Sequence, residues 1–204
     1  MNSTKKSPRT PWLYALYAAA GCACLFLLVG LCLPSTWHIE RSVVVYTNTD
    51  TVRADSQSSS EKIFSDINDL RMWPTWTAFL SAADPSLKAK CLENQIGVGA
   101  ACAWSGKKTG QGDISLTESV PFSHISYTTH LRNHHFESDG RIVLKQTPEG
   151  VQITWTDNGR IGWNPFSRYF GLMISDLIAP DLQKSLENLK KRHEIPEKIK
   201  KTNP

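Results

Sequence analysis

The sequence predicts an α+β protein: a seven-stranded antiparallel sheet wrapped on a long C-terminal helix, preceded by one transmembrane helix. Three observations predict this. The 22 residues from Trp12 to Leu33 carry no charge, and a bilayer core needs ~20 residues of helix. From Leu87 to Thr156 apolar residues recur with a period of two between turns rich in Gly, Pro, Asn and Asp, the pattern of short strands in series. Beyond Asn164 runs an apolar helical stripe long enough to cover such a sheet.

Residues 1–11 form a basic arm with Lys5, Lys6 and Arg9, and residues 12–33 form the apolar span. Trp12, Tyr14 and Tyr17 stand near its start, where amphipathic rings favour the headgroup layer. The positive-inside rule then predicts a single-pass inner (cytoplasmic) membrane protein, with its N-terminus in the cytoplasm and its domain on the periplasmic side. A cleaved signal peptide has an apolar region of ~7–15 residues and a small-x-small site; this run is longer, and "LCLPSTW" lacks the site. "AAGC" at Cys22 is a faint lipoprotein signal, but eleven apolar residues follow it. Cys22, Cys24 and Cys32 lie within the span and read as small hydrophobes.

The soluble part opens with a strand, "HIERSVVVYT" (38–47), and a Ser-rich loop, "NTDTVRADSQSSS". "SSSEKIFSDINDL" reads as a helix capped by Ser59 or Ser60, with Ile63, Phe64, Ile67 and Leu70 on one face. "RMWPTWTAFLSAADPS" is broken by Pro74 and Pro85 and reads as a short helix or irregular corner. Strands follow at 87–93, 100–105, 112–119, 123–131, 140–146 and 151–156. In the final helix Asn164 suits the N-cap and Pro165 the first turn. Phe166, Phe170, Met173 and Leu177 form one stripe, and Ile178, Leu182, Leu186 and Leu189 continue it. Pro180 is expected to kink or divide this helix. Residues 195–204 read as a tail.

The formal charge of +4 comes from the ends of the chain. Without the three positives of the arm and the cluster of bases from Lys190 to Lys201, the body is slightly acidic. It lacks the basic face of a nucleic-acid binder.

"GVGAACAWSG" (97–106) is close to a dinucleotide fingerprint, with Glu118 at a fitting distance. That motif needs a helix after its glycines, and "AWSGKKTGQG" cannot continue one. The stretch reads instead as a turn, with Gly97 and Gly99 at positive φ or a bulge, followed by a strand carrying Trp104. A hairpin centred on Ile96 and Gly97 sets Cys91 opposite Cys102. Opposed Cβ atoms lie ~4.5–5.5 Å apart, and an oxidising compartment would permit a disulfide. The alternative is two buried thiols.

"GVGAACAWSG", "GQGDISLTESVPFSHISY", "VQITWTDNGR" and "LENLKKRHE", together with "IERSVVV" and "IFSDINDLRMWPTWTAF", resemble the SRPBCC superfamily of START-like, polyketide cyclase-like proteins. The resemblance spans residues 37–194 and is close to a membrane-anchored subgroup. It implies a helix-grip fold, in which the sheet grips the last helix around a cavity for lipids or other apolar small molecules. A minority of members are enzymes. "VRADSQSSS" departs from the family as a longer link between first strand and first helix.

Trp73, Trp76, Trp104, Trp155, Phe170, Met173 and Leu177 are the candidate cavity residues; the other reading of each is core filling. Trp and Met suit adaptable apolar pockets. His130 and Glu118 are the candidate acid–base residues for an enzyme. Glu118, Asp157, Arg160 and Asp176 read either as polar handles at the cavity mouth or as solvated charges. The adjacent His134 and His135 point to opposite faces of a strand, so no metal is predicted, and no motif calls for a cofactor. The leading reading is a membrane-anchored binding module for an apolar small molecule or lipid. The alternatives are a cyclase- or hydrolase-like enzyme in the same cavity, and an envelope interaction protein with a closed core. Oligomeric state is not legible.

Overall fold

The computed structural model describes residues 11–46, 52–79, 84–132 and 136–194. The element order is α1 (Pro11–Cys32), β1 (Thr36–Tyr46), α2 (Val52–Asn68), α3 (Trp73–Trp76), β2 (Lys88–Cys91), β3 (Ala101–Gly106), β4 (Gly110–Val120), β5 (His124–Leu131), β6 (Phe136–Thr147), β7 (Gly150–Arg160) and α4 (Pro165–His193). The seven strands form one antiparallel sheet in the order β1-β7-β6-β5-β4-β3-β2. Strands β2 to β7 are a meander, and β1 pairs with β7 along its whole length. The helices cover one face, where Ile39, Val45, Ile114, Leu116, Ile125, Ile142, Ile153 and Trp155 are buried. Alternation with outward polar residues is the usual mark of a sheet with one solvated side.

Gly97 and Gly99 have φ of 72° and 85°. The chain between β2 and β3 passes through this turn and hydrogen-bonds to the end of α2, Gly97 N–H to the Asn68 carbonyl at 3.0 Å. Cys91 and Cys102 are directly opposed. Their Cα atoms are 3.9 Å apart and their sulfurs are bonded.

Two expectations are corrected. "VRADSQSSS" is not a loop: α2 begins at Val52, so Ser59 and Ser60 are interior helical residues and not caps. The stretch contains neither Gly nor Pro, so nothing opposes extension once the Ile63–Ile67 face has docked. Nor does Pro180 divide α4, which runs as one helix from Pro165 to His193. Pro180 is exposed, so the carbonyl deprived of its helical partner can bond to water. The Asn164 side chain caps this helix by accepting from the Phe166 N–H at 3.0 Å.

The two halves of α4 differ. Leu182, Leu186 and Leu189 are buried against the sheet, whereas Phe166, Met173 and Leu177 are more than half exposed. The first half meets α1 through Tyr169 and Phe26, while its Phe170 stacks on Phe136 of β6 at 6.0 Å.

Intact mass under non-reducing conditions should fall two hydrogens below that of the fully reduced protein. Reduction should destabilise the domain by ~2–4 kcal/mol in urea unfolding, the usual contribution of such a cross-link. Two free thiols in the native protein would contradict the pairing.

Candidate functional site

Three aromatic residues on the inner face stand directly opposite glycines: Trp37 opposite Gly159, Trp104 opposite Gly112, and Tyr127 opposite Gly140. A Cβ at any of these glycines would overlap the facing ring. The rings therefore lie across neighbouring strands in space that side chains would otherwise fill. All three pairs sit at one end of the sheet, where β1 begins and β5 and β7 end.

There the sheet and α4 enclose a cavity of about 510 Å³. Its inner wall includes Trp37, Trp104, Tyr127, Thr129 and Trp155, and the helix side is Phe170, Ile174, Leu177 and Ile178. A dry, sealed void of this size would cost on the order of 10 kcal/mol, comparable with a domain's whole stability of ~5–15 kcal/mol. The cavity must therefore be open to its surroundings or occupied. It is open: Phe170 and Leu177 line it while remaining 42% and 63% exposed, with Lys108 and Lys184 also at the rim. The volume falls within the ~300–1,000 Å³ typical of small-molecule sites.

The buried carboxyl between the sheet and α4 is Asp157, which is 6% exposed; Thr129 and Ser138 also line the cavity. Asp157 Oδ2 accepts from the Tyr127 hydroxyl at 2.7 Å, and that hydroxyl accepts from the Trp155 indole N–H at 2.8 Å. Asp157 Oδ1 is buried and makes no hydrogen bond of normal geometry, although the Ser138 hydroxyl is close enough to favour the charged form. Burial pushes the carboxyl pKa up to about 6, against the opposing pull of Tyr127 and Ser138. Burial, reinforced by the neighbouring carboxylate, pushes Tyr127 well above its usual range. Trp37 Nε1 is a second buried polar atom without a partner in the lining. The pocket thus offers an apolar wall, a buried acceptor with no hydrogen bond of normal geometry and one unpaired donor.

At the rim, Asp84 accepts from the Ser86 hydroxyl (2.6 Å) and from the Lys108 and Thr109 amides (2.7 and 3.0 Å). The Ser86 and Thr109 bonds lead in holding it well below the usual carboxylate range. It ties the β3–β4 turn to the segment before β2, so its role is structural.

The structure sorts the candidates read from sequence. Trp104, Trp155, Phe170 and Leu177 line the cavity. Trp73 and Trp76 do not: both are fully buried, ring against ring at 5.3 Å, and Trp73 donates to the Ile67 carbonyl. Met173 points away from the cavity and is 61% exposed. The acid–base candidates fall outside. His130 is half exposed and pairs with Asp113 at 2.9 Å, and Glu118 is half exposed against His124, Ser126 and Arg141. Both therefore lie apart from the cavity lining. Arg160 and Asp176 are exposed and also do not line it. His134 and His135 lie outside the described residues. Among the described residues no cluster of potential metal ligands occurs. Asp157 was legible only as one of four charges near strand ends; its inward parity, shared with Ile153 and Trp155, was the available signal.

Fold and cavity together define a helix-grip protein with an internal ligand-sized site. The sequence profile of the polyketide cyclase/dehydrase and lipid-transport family matches residues 49–194, and the chain belongs to that family, within the SRPBCC superfamily. No curated protein matches it by sequence. Among solved structures it is similar to a truncated norcoclaurine synthase from Thalictrum flavum (TM-score 0.56, 11% identity, 77% of this chain and 92% of that one). It is also similar to a hypothetical protein of Helicobacter pylori (0.55, 9%, 95% and 100%). A third similar structure is the di-domain ARO/CYC protein StfQ of the steffimycin biosynthetic pathway (0.54, 12%, 76% and 50%). At these identities the likeness is one of fold.

Because the folded Asp157 holds its proton to about pH 6, while an unfolded Asp releases it near ~3.9, stability should fall as pH rises through that window and stay lower above it. The size is on the order of 2–3 kcal/mol. Asp69, Asp84 and Glu118 are shifted down and contribute the opposite slope at lower pH. The difference between wild type and Asp157→Asn therefore isolates the buried carboxyl. The variant should gain urea resistance at pH 8 and lose the decline between pH 4 and 6; parallel curves would contradict the assignment.

Proposed function

We propose that the protein is a membrane-anchored binding module that holds an apolar small molecule or lipid between the sheet and α4. The cavity of about 510 Å³ with a mouth at Phe170 and Leu177 carries this reading; a closed-core interaction protein would lack it. Family membership supports a ligand-binding role. Trp104, Trp155, Phe170 and Leu177 would contact the apolar body of the ligand. Asp157 Oδ1 would accept from a hydroxyl or amine on it, relieving a buried acceptor with no hydrogen bond of normal geometry. The helix Trp12–Cys32 is long and apolar enough to cross a membrane. In this reading it is the anchor, with the basic arm cytoplasmic and the domain outside, in a compartment where Cys91 and Cys102 remain oxidised.

A catalytic reading keeps one specific observation. Asp157 is a buried carboxyl in the cavity with a pKa of about 6, suited to moving a proton near neutrality. It replaces His130 and Glu118, which lie outside, as the residue on which an enzyme would depend.

Titrating an environment-sensitive naphthalene dye into the full chain in detergent should give saturable, one-to-one fluorescence enhancement. Thr129 lines the cavity and is half-buried, so Thr129→Phe should fill space there and weaken dye binding at least about tenfold, a loss of ~1.4 kcal/mol, with the melting temperature nearly unchanged. Equal binding by both proteins would place the dye elsewhere and overturn the reading.

A further inference from the structure

The first half of α4 and the residues just before it present apolar side chains that the described chain leaves largely exposed. Trp163 is 83% exposed, Phe166 63%, Met173 61% and Leu177 63%. From Trp163 to Leu177 the charges are Arg168, which is buried, and Asp176, which is exposed near the far end of the segment. Phe166, Met173 and Leu177 share one side of the helix, at the i, i+7, i+11 spacing. Monomeric soluble proteins rarely leave such a face in water.

What covers it follows from the contact between α4 and α1. Tyr169 stacks on Phe26 with ring centroids 4.2 Å apart and donates to the Phe26 carbonyl at 2.7 Å. Phe166 meets the same ring at 5.7 Å. Gly30 is buried under Pro165 and Tyr169, where a Cβ would meet them at 2.7 and 2.9 Å; small residues let helices in membranes approach this closely. Arg168, 7% exposed, donates to the Leu31 and Leu33 carbonyls. It thereby caps α1 at the end where helix carbonyls lack partners and cations are favoured. α1 is thus braced to α4 by stacking, close packing and a buried guanidinium. Phe26 lies seven residues before Leu33, ~10 Å along the helix axis. The contacts of α4 with α1 therefore run from Leu33 through Gly30 to Phe26, so the start of α4 is held up to ~10 Å inside the end of the apolar segment. This is the depth at which interfacial helices lie, ~5–10 Å into the headgroup and acyl boundary. Trp163, at the end of this face with Arg168 5.4 Å from its ring, has the chemistry of an interfacial anchor.

We infer that Trp163–Leu177 is a second membrane contact: its apolar face lies in the leaflet beside α1, and the cavity opens onto lipid rather than bulk water. Phe170 and Leu177 connect the two, since both line the cavity and stand exposed at its mouth. Trp37 lies on the cavity side only five residues beyond the end of α1, so the mouth is at the membrane-proximal end of the domain. A ligand could then enter from the bilayer without crossing water. The inference rests on the reading of α1 as a membrane span.

The test uses the full chain with Cys22, Cys24 and Cys32 replaced by Ala, in vesicles of phosphatidylcholine and phosphatidylglycerol. A nitroxide is placed singly at Leu25→Cys on α1, at Met173→Cys, or at Lys145→Cys on the outer face of the sheet. Collision with oxygen, which concentrates in lipid, is compared with collision with an aqueous nickel chelate. The expected result is a Met173 label that behaves like Leu25, oxygen-rich and nickel-poor, with Lys145 the reverse. If Leu25 is in lipid while Met173 matches Lys145, the inference fails and the anchor stands. If Leu25 is also in water, the anchor reading fails and takes the inference with it. If Met173 is shielded from both reagents and its spectrum shows spin–spin broadening, a second copy covers the face and the lipid assignment is wrong.

Discussion

The cavity depends on three places where the sheet gives up a side chain to a neighbour's ring. Gly112, Gly140 and Gly159 each face an aromatic residue across a strand pair, and each would collide with it if it carried a Cβ. Flattened this way, Trp37, Trp104 and Tyr127 make a smooth wall instead of filling the space beneath α4. The same arrangement sets the Tyr127 hydroxyl between the Trp155 indole and Asp157. The wall and the polar group it carries are therefore one construction. Ile63, Phe64 and Ile67 of α2 fill the same layer elsewhere, and the buried Trp73–Trp76 pair packs directly behind the wall, Trp73 5.3 Å from Tyr127 and Trp76 5.5 Å from Trp155. One end of the domain is a core, and the other is a site.

The division within α4 follows from the same geometry. Leu186 and Leu189 belong to the filled end and are buried there, and Leu182, equally buried, lines the cavity where the two meet. Phe166, Phe170, Met173 and Leu177 have similar hydrophobicity and helical spacing, yet they lie over the cavity or beyond it. Two of them line the cavity and two face away. The brace to α1 through Tyr169, Arg168 and Gly30 adds to the contact of Phe170 with Phe136 of β6 in holding this half of the helix. The site is thereby kept open by packing outside it.

Periodicity in the sequence was enough to reveal the fold. A period of two across residues 87–156 marked the six meander strands, each within a few residues of its observed bounds, and Asn164–Pro165 marked the start of α4. The family resemblance identified where a cavity would form. The sequence did not show which aromatic residues would line it. Trp73, Trp76, Trp104 and Trp155 look alike along the chain, and only long-range packing separates core from wall. The glycine–aromatic pairs were hidden for the same reason, since the partners are as far apart as Trp37 and Gly159. Asp157 was hidden among Glu118, Arg160 and Asp176, because a strand's inward parity is certain only once its neighbours' register is known. The start of α2 was missed because serine-rich composition outweighed the absence of any helix breaker.

The central claim is that the space between the inner wall and α4 belongs to an apolar ligand carrying a hydrogen-bond donor. The most direct measurement is native mass spectrometry of the full chain purified natively from its own cells, followed by organic extraction and identification of any released mass. The account predicts a stoichiometric apolar species bearing a hydroxyl or amine, and its loss from protein carrying Thr129→Phe. Protein that is consistently empty and that also excludes apolar dyes would contradict it.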